Sequence, residues 1–379
     1  MKIIIAPDSF KGSISAPEIC GIVKSGVLEV FKNAEVCEVP LADGGEGTME
    51  NMVYSSNGTI ITIDATDPLG RKIEGSYGVL GDNETVIIEM AQVSGLPLLT
   101  VKEKNPLITT CYGTGELIKH AIETGYRKFI IGLGGSATND GGAGMLKALG
   151  IKFYNEQGVE LEDGGGNLIN LSYVDETGFH PVIKECSFVI ASDVENKLCG
   201  KEGASAIFGP QKGATPEMVE QLDQALYQFS EVVLKQKNVR MREFVGGGAA
   251  GGLGAALITF LNAECKSGIQ VVLDSIRFEE QVQEANLVIT GEGKLDQQTL
   301  AGKVIAGVTR VTNKHEIPTI ALCGGLALTS EQLEQLGLLS AFSIVPGPCS
   351  LETAIENTPT WIHDRTIQIM KIIKGFEVN

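Results

Sequence analysis

Short unbroken apolar runs alternate along the chain with longer segments in which apolar residues recur every three or four positions. "KIIIAP" at the start, "AEVCEVP", "ANLVIT", "IPTIALCGG" and "LSAFSIVP" read as strands of a parallel sheet buried on both faces. Helical periodicity follows each of the first four. The first helix opens at Ser15, with Glu18 three residues on and Pro17 in the first turn, the signature of a capping box. A second starts near Thr48, a third covers "TLAGKVIAGVTRVT", and "SEQLEQLG" is a fourth. A last helix runs from about Leu351 to Ile373. Strand–helix alternation of this kind predicts an α/β fold with a doubly wound parallel sheet.

The middle of the chain has another rhythm. "TIITIDATDPLG", "RKIEGSYGVLG" and "ETVIIEMA" predict antiparallel strands joined by turns at Asp67-Pro68-Leu69-Gly70 and Gly81-Asp82-Asn83. Helix "GELIKHAIETG", strand "KFIIGLG", strand "SFVIASDV" and helix "PEMVEQLDQALYQFSEVVLKQ" follow, and then a glycine-rich loop enters a buried helix in "VGGGAAGGLGAALITFLN". We therefore expect a discontinuous organisation: residues 1–60 and 285–379 form one parallel α/β domain, and residues 61–284 an inserted mixed α/β domain. The alternative is two consecutive domains divided near residue 180, with "KFIIGLGG" and "SFVIASDV" joining the first sheet.

Composition narrows the function. The net charge is −17 and aromatic residues make up only 6%, which argues against nucleic acid and anionic membranes as partners. The eight cysteines form no C-x-x-C pair and do not stand at zinc-ligand spacing with the four histidines, as expected of reduced thiols. The opening segment lacks the apolar run of a signal peptide, and "AAGGLGAALITFL" is too short and glycine-broken to span a bilayer, so a cytoplasmic location is expected.

Chemistry collects in glycine-acid loops after the strands, where open α/β sheets bind ligands. "PDSFKGS" offers Asp8, Ser9 and Lys11; "PLADGGEGT" offers Asp43 and Glu46; "TGEGKLDQQT" offers Glu292, Lys294 and Asp296. Each is also ordinary turn chemistry, and only their recurrence at one sheet edge suggests a site. In the insert, "GLGGSATNDGGAGM" follows a strand and opens a helix, an arrangement suited to anions. It is neither a Walker A loop nor a regular G-x-G-x-x-G, and tight strand–helix packing explains its glycines almost equally well. Asp193 stands just past a strand, and Lys212 in the loops that follow. Acids, lysines and bare backbone together fit phosphoryl transfer, which needs phosphate-binding backbone, a cation and a carboxylate to orient the nucleophile.

Taken together, "IIAPDSFKGSISA", "VPLADGGEGT", "IEMAQVSGL", "NPLITTCYGTGELI", "GLGGSATNDGGAGML", "ASDVENKLCG", "FGPQKGA", "GAAGGLGAAL" and "GEGKLDQQTLAGK" resemble the bacterial type-I glycerate kinase family, in one order from Met1 to about Val345. The resemblance implies a flavodoxin-like domain carrying an inserted α/β domain. It implies ATP- and Mg²⁺-dependent phosphorylation of D-glycerate, generally to 2-phosphoglycerate. Its motif positions fall on Asp8, Ser9, Lys11, Asp43, Glu46, Ser136, Asn139, Asp140, Asp193, Asn196, Lys212, Glu292, Asp296 and Lys303. Two positions depart from the family pattern, with Lys197 and Ile305 standing where proline is usual.

The roles expected on this basis are as follows. Asp296, or else Asp193, is the base, and Lys11 neutralises the transferred phosphate or the glycerate carboxylate. Asp8, Ser9 and Lys11 hold the substrate. Gly134, Gly135, Ser136, Asn139, Asp140 and Lys212 bind phosphate or nucleotide. Asp43 and Glu46 serve the metal. Asp296 has a second reading, as the N-cap of the helix that follows it. Alternatives to glycerate 2-kinase activity are a 3-phosphoglycerate-forming kinase, a metabolite kinase of the galactokinase–mevalonate kinase type, and a nucleotide-binding regulatory module. The expected partners are D-glycerate and ATP, bound by a monomer or homodimer.

Overall fold

The computed structural model describes residues 1–300 and 303–377. Its first strands are β1 (Lys2–Pro7), β2 (Glu35–Glu38), β3 (Thr59–Thr66), β4 (Lys72–Val79), β5 (Thr85–Glu89) and β6 (Lys128–Gly132). Then come β7 (Lys152–Tyr154), β8 (Tyr173–Asp175), β9 (Ser187–Ala191) and β10 (Glu264–Lys266), followed by β11 (Leu287–Leu295), β12 (Thr319–Leu326) and β13 (Ser340–Ser343). The chain divides into two compact units: residues 1–43, 50–56 and 269–379, and residues 44–49 and 57–268.

The first unit holds a five-stranded sheet, all parallel, in the order β13-β12-β11-β1-β2. Counted within the unit, this is the flavodoxin-like order 2-1-3-4-5. The central strands β1 and β11 are almost wholly buried, which explains their unbroken apolar runs. One face is covered by the helices Ala16–Val30 and Leu351–Glu377, whose Val23, Val27, Ile362 and Met370 meet Ile3, Ile5 and Ile289 from the sheet. These two helices approach closely at Gly26, where an added Cβ would stand 3.0 Å from the Thr366 side chain. The first helix starts as expected, with the reciprocal Ser15–Glu18 capping box.

The second unit holds a mixed six-stranded sheet, β10-β9-β6-β5-β4-β3. The β3–β4–β5 meander is antiparallel, and β5, β6, β9 and β10 are parallel. "KFIIGLG" and "SFVIASDV" therefore belong to this sheet, not to the first. A small β7–β8 ribbon, absent from the sequence reading, stands apart. Phe129 stacks on Phe188, and Phe229 bridges Phe153 and Phe260 in the core.

Other differences have local causes. The helix Gly268–Ser275 and the helix Phe278–Val282, given to the insert by the sequence reading, lie beyond or at its edge. Ile269 and Leu273 surround the place where a Cβ at Gly307 would stand, in the first unit's helix Val304–Lys314. "GEGKL", expected as a loop, continues β11, because Glu292 and Lys294 pair in register with Cys323 and Gly325 of β12. The single helix expected over 299–312 appears as a turn at Gln297–Leu300 and a helix at Val304–Lys314; Ala301 and Gly302 lie outside the described residues. All eight cysteines are free thiols. Among the described residues no helix is long and apolar enough to cross a membrane.

Glycine serves packing where helices meet strands. At Gly113, in the first turn of the helix Tyr112–Thr124, an added Cβ would lie 2.0 Å from the Thr66 carbonyl oxygen. Gly113→Ala is expected to lower unfolding stability by about 1–3 kcal/mol through overpacking. Gly21 sits mid-helix and exposed, and nothing lies within 4 Å of the corresponding position. Gly21→Ala is expected to raise stability by about 0.4–1 kcal/mol. Denaturant titrations of both variants check the opposite signs.

Candidate active site

In the first unit the chain crosses from β1 to one side, reaching β2, and from β11 to the other, reaching β12 and β13. The switch point therefore lies between β1 and β11, and ligands bind outside the carboxyl ends of such strands. A cavity of about 300 Å³ opens there. Four carboxylates line it, Asp8, Asp43, Glu292 and Asp296, together with three lysines, Lys11, Lys294 and Lys303. Ser9 and Gln298 complete the polar lining. Asp8, Ser9, Lys11, Asp43 and Asp296, the site candidates read from these loops, thus line one space.

Asp8 follows β1 directly; its backbone N–H donates to the Gly291 carbonyl at 2.8 Å, so β1 and β11 hold it jointly. Its carboxylate accepts the Ser9 N–H at 2.7 Å. Burial, reinforced by the nearby Asp43 carboxylate, raises its pKa to about 6, against the pull of Ser9 and Lys11. Glu292 lies inside β11, buried, and accepts a hydrogen bond from the Thr299 hydroxyl. Burial raises its pKa to about 7; Thr299 and Lys303 oppose the rise, and Asp8 and Asp296 add to it. Glu292 was visible as a loop acid but received no role. Its signal was position, an acid closing the buried run "LVITGE".

Asp296 differs in character. One carboxylate oxygen accepts the Gln298 N–H at 2.9 Å, and the other pairs with Lys294 at 3.2 Å. The Gln298 bond and Lys294 hold its pKa below the usual range. The Asp296 N–H donates to the Thr299 hydroxyl at 3.1 Å, so Asp296 caps the turn that presents Thr299 to Glu292. The capping reading of Asp296 fits this geometry better than the base reading, because an acid strengthened by two partners is a poor proton acceptor.

In the second unit the glycine-rich loop joins β6 to a helix of six residues, Ala143–Ala148. The Asp140 carboxylate accepts the N–H groups of Cys111 at 2.9 Å and of Gly142 and Gly144 at 3.2 Å. The donors that the sequence reading offered to phosphate are therefore taken by the loop's own acid, and burial raises the Asp140 pKa despite these bonds. Gly142 has φ +80°, and a Cβ there would stand 2.5 Å from the Ala256 Cβ, so packing accounts for it. Asn139 is buried and donates to Ser205 at 3.0 Å. Lys212 is buried as well; its Nζ donates to the Thr138 carbonyl at 2.7 Å, and burial lowers its pKa to about 7, with Asp140 opposing. Ser136 is buried, whereas Gly134 and Gly135 are exposed. Asp193 follows β9 and accepts the Gly268 N–H at 3.3 Å. Glu46 is exposed.

A family model described as the glycerate kinase family matches residues 3–374. The chain belongs to the glycerate kinase family. It is 45% identical to the glycerate kinase of Bacillus subtilis (strain 168), over 99% of this chain and 98% of the relative. It is 46% identical to a protein of Escherichia coli (strain K12) named glycerate 2-kinase, over 94% and 93%. A crystal structure assigned to a glycerate kinase 2 of Salmonella typhimurium LT2 superposes with a TM-score of 0.91 at 43% identity, covering 100% of both chains. This member of the glycerate kinase family is an ATP-dependent phosphotransferase, and the cavity at the β1–β11 switch point has the acids and lysines that such chemistry uses.

The two raised carboxyls have a consequence for stability. A carboxyl whose pKa is higher in the folded state stabilises fully below its unfolded pKa, and that contribution is lost as pH rises through the folded value. For Glu292 the window runs from 4.5 to about 7. Glu292→Gln is thus expected to gain stability relative to the parent by up to about 3 kcal/mol between pH 4.5 and pH 8.5. Paired denaturant titrations measure the gain; a difference that does not change with pH contradicts it.

Proposed function

We propose that the chain phosphorylates D-glycerate on its 2-hydroxyl with ATP and Mg²⁺, as a type-I enzyme of the family. The observation that carries the chemistry is the cavity that gathers Asp8, Asp43, Glu292 and Lys11 at the switch point. The name of the Escherichia coli relative supports the 2-position. Lys11 is exposed at the rim, where its ammonium neutralises the moving phosphoryl group or the substrate carboxylate. Glu292 takes the hydroxyl proton: it is buried, faces the cavity, and its pKa of about 7 suits a base at neutral pH. Asp296 positions Thr299 and, through it, Glu292.

The donor set fits Mg²⁺. Asp8 and Asp43 are hard oxygen ligands close enough to raise the Asp8 pKa, a repulsion that a cation relieves. Among the described residues no three acids, histidines or cysteines form a complete metal cage. That suits an ion usually held by one or two carboxylates, with phosphate and water supplying the rest. Bound there, Mg²⁺ would neutralise charge on the ATP phosphates. Asp43 and Asp8 are the residues we assign to it, ahead of the exposed Glu46. In the second unit, Asp140, Asn139 and Lys212 are engaged inside the protein, so we do not assign them to the nucleotide.

Phosphorus NMR of the product from D-glycerate and Mg-ATP decides the position: a 2-phosphoglycerate resonance is expected, and 3-phosphoglycerate rejects the assignment. Three variants separate the roles. Lys11→Met is expected to lose roughly two orders of magnitude in kcat while remaining folded. Glu292→Gln is expected to lose about 10²–10⁴-fold. Asp296→Asn, which caps nearly as well as aspartate, is expected to keep most of its turnover. Loss in Asp296→Asn with near-normal turnover in Glu292→Gln would return the base to Asp296.

A further inference from the structure

A second cavity, of about 550 Å³, opens in the same unit at the carboxyl ends of β1, β11, β12 and β13. It borders the charged cavity, and Lys11, Gly293 and Lys294 line both. Its character is different. Phe10, Ile344, Val345, Pro348, Leu351 and Ile355 form its walls, with no carboxylate among its lining residues. Its polar groups include the hydroxyls of Ser13 and Thr358, which bond to each other at 2.9 Å. Gly324 and Gly325 leave bare backbone at the end of β12. A Cβ at Gly324 would stand 2.8 Å from the Gly293 carbonyl, so the strand ends meet there without side chains between them. Leu351, at the start of the helix Leu351–Glu377, is 77% exposed, an apolar side chain with little to cover it.

Size and lining are those of a small-molecule site, a mainly apolar concavity of roughly 300–1,000 Å³ with a few polar groups. Glycerate is small and polar on every carbon, and has no use for such walls. ATP has the complementary build: an apolar planar base at one end and a polyanion at the other. Four carboxylates in the charged cavity repel the polyanion except along its lysines, and Lys11 and Lys294 stand on the border. We propose that the apolar cavity holds the adenosine of ATP, and that the triphosphate crosses Gly293 and Lys294 to bring its γ-phosphate to Lys11. The donor then arrives from the apolar side and the hydroxy acid from the acidic side. This rests on the proposed reaction for the occupant of the charged cavity, and on the kinase activity alone for the nucleotide.

Photolabelling of the full chain with 8-azido-ATP, followed by peptide mapping, tests it without any acceptor. Label is expected within residues 344–358, and ATP is expected to prevent it. Label mapped elsewhere overturns the proposal. Ala354 is half-buried on the cavity wall, and Ala354→Trp fills the space. This variant is expected to raise KM for ATP by about tenfold or more, with KM for the hydroxy acid within about twofold. An unchanged KM for ATP in a folded Ala354→Trp enzyme, confirmed by its circular dichroism, also overturns the proposal. Should the variant not fold, the labelling map decides alone. If D-glycerate yields no product while labelling proceeds as expected, the acceptor assignment fails and the nucleotide site stands.

Discussion

The pairing of β1 with β11 is the contact on which the first unit depends. It joins Ile3 to Leu287 and Pro7 to Gly291 in parallel register, residues separated by most of the chain. The Thr290 hydroxyl donates to the Ala6 carbonyl at 2.8 Å, and the Asp8 N–H to the Gly291 carbonyl at 2.8 Å. Without this register Asp8 and Glu292 would not share a cavity. The entropy of closing so long a loop is tolerable, because each doubling of loop length adds only about 0.6 kcal/mol. A large second unit can therefore be accommodated between two strands that must lie side by side.

Once the strands are joined, their buried edge sets the chemistry. Glu292 is charged only at the expense of desolvation, and the nearby Asp8 carboxylate adds to that penalty. The Thr299 hydroxyl and Lys303 offset part of it. The capped turn that carries Thr299 is thus part of the electrostatics of the cavity as well as of its shape. Asp296, the residue that holds the turn, keeps its own charge easily because it is partly exposed and paired with Lys294. Two acids four residues apart are thereby driven in opposite directions by burial and partners.

Apolar periodicity made the longer strands and most helices legible, because buried parallel strands and capped amphipathic helices have strong local signatures, whereas the three-residue strands β7, β8 and β10 are too short to show one. The Ser15–Glu18 box is a case in which local chemistry alone decides a boundary. What was not legible depends on contacts distant in sequence. "GEGKL" has the glycine and charge of a loop, and only pairing with β12 draws it out as strand. Asp140 reads as a ligand acid until Cys111, from another segment, is seen to donate to it. Lys212 reads as a phosphate-binding lysine, although it is buried and donates to the Thr138 carbonyl. The glycine-acid loops offered Asp8, Ser9, Lys11, Asp43, Glu292, Lys294 and Asp296 of the charged cavity, but the burial of Glu292 was not visible in them.

The β1–β11 register also has a temporal side. On the ribosome β1 emerges before β2 and β11 and can pair early with β2, since only the helix Ala16–Val30 separates them. Its other edge waits for β11. At about 5–20 residues per second, the intervening chain takes roughly a quarter of a minute to a minute to appear. Throughout that interval a strand reading "KIIIAP" presents one open, apolar edge, the kind of surface that recruits other nascent chains. The same register that brings Asp8 and Glu292 together therefore leaves one edge of β1 unpaired until β11 has been synthesised.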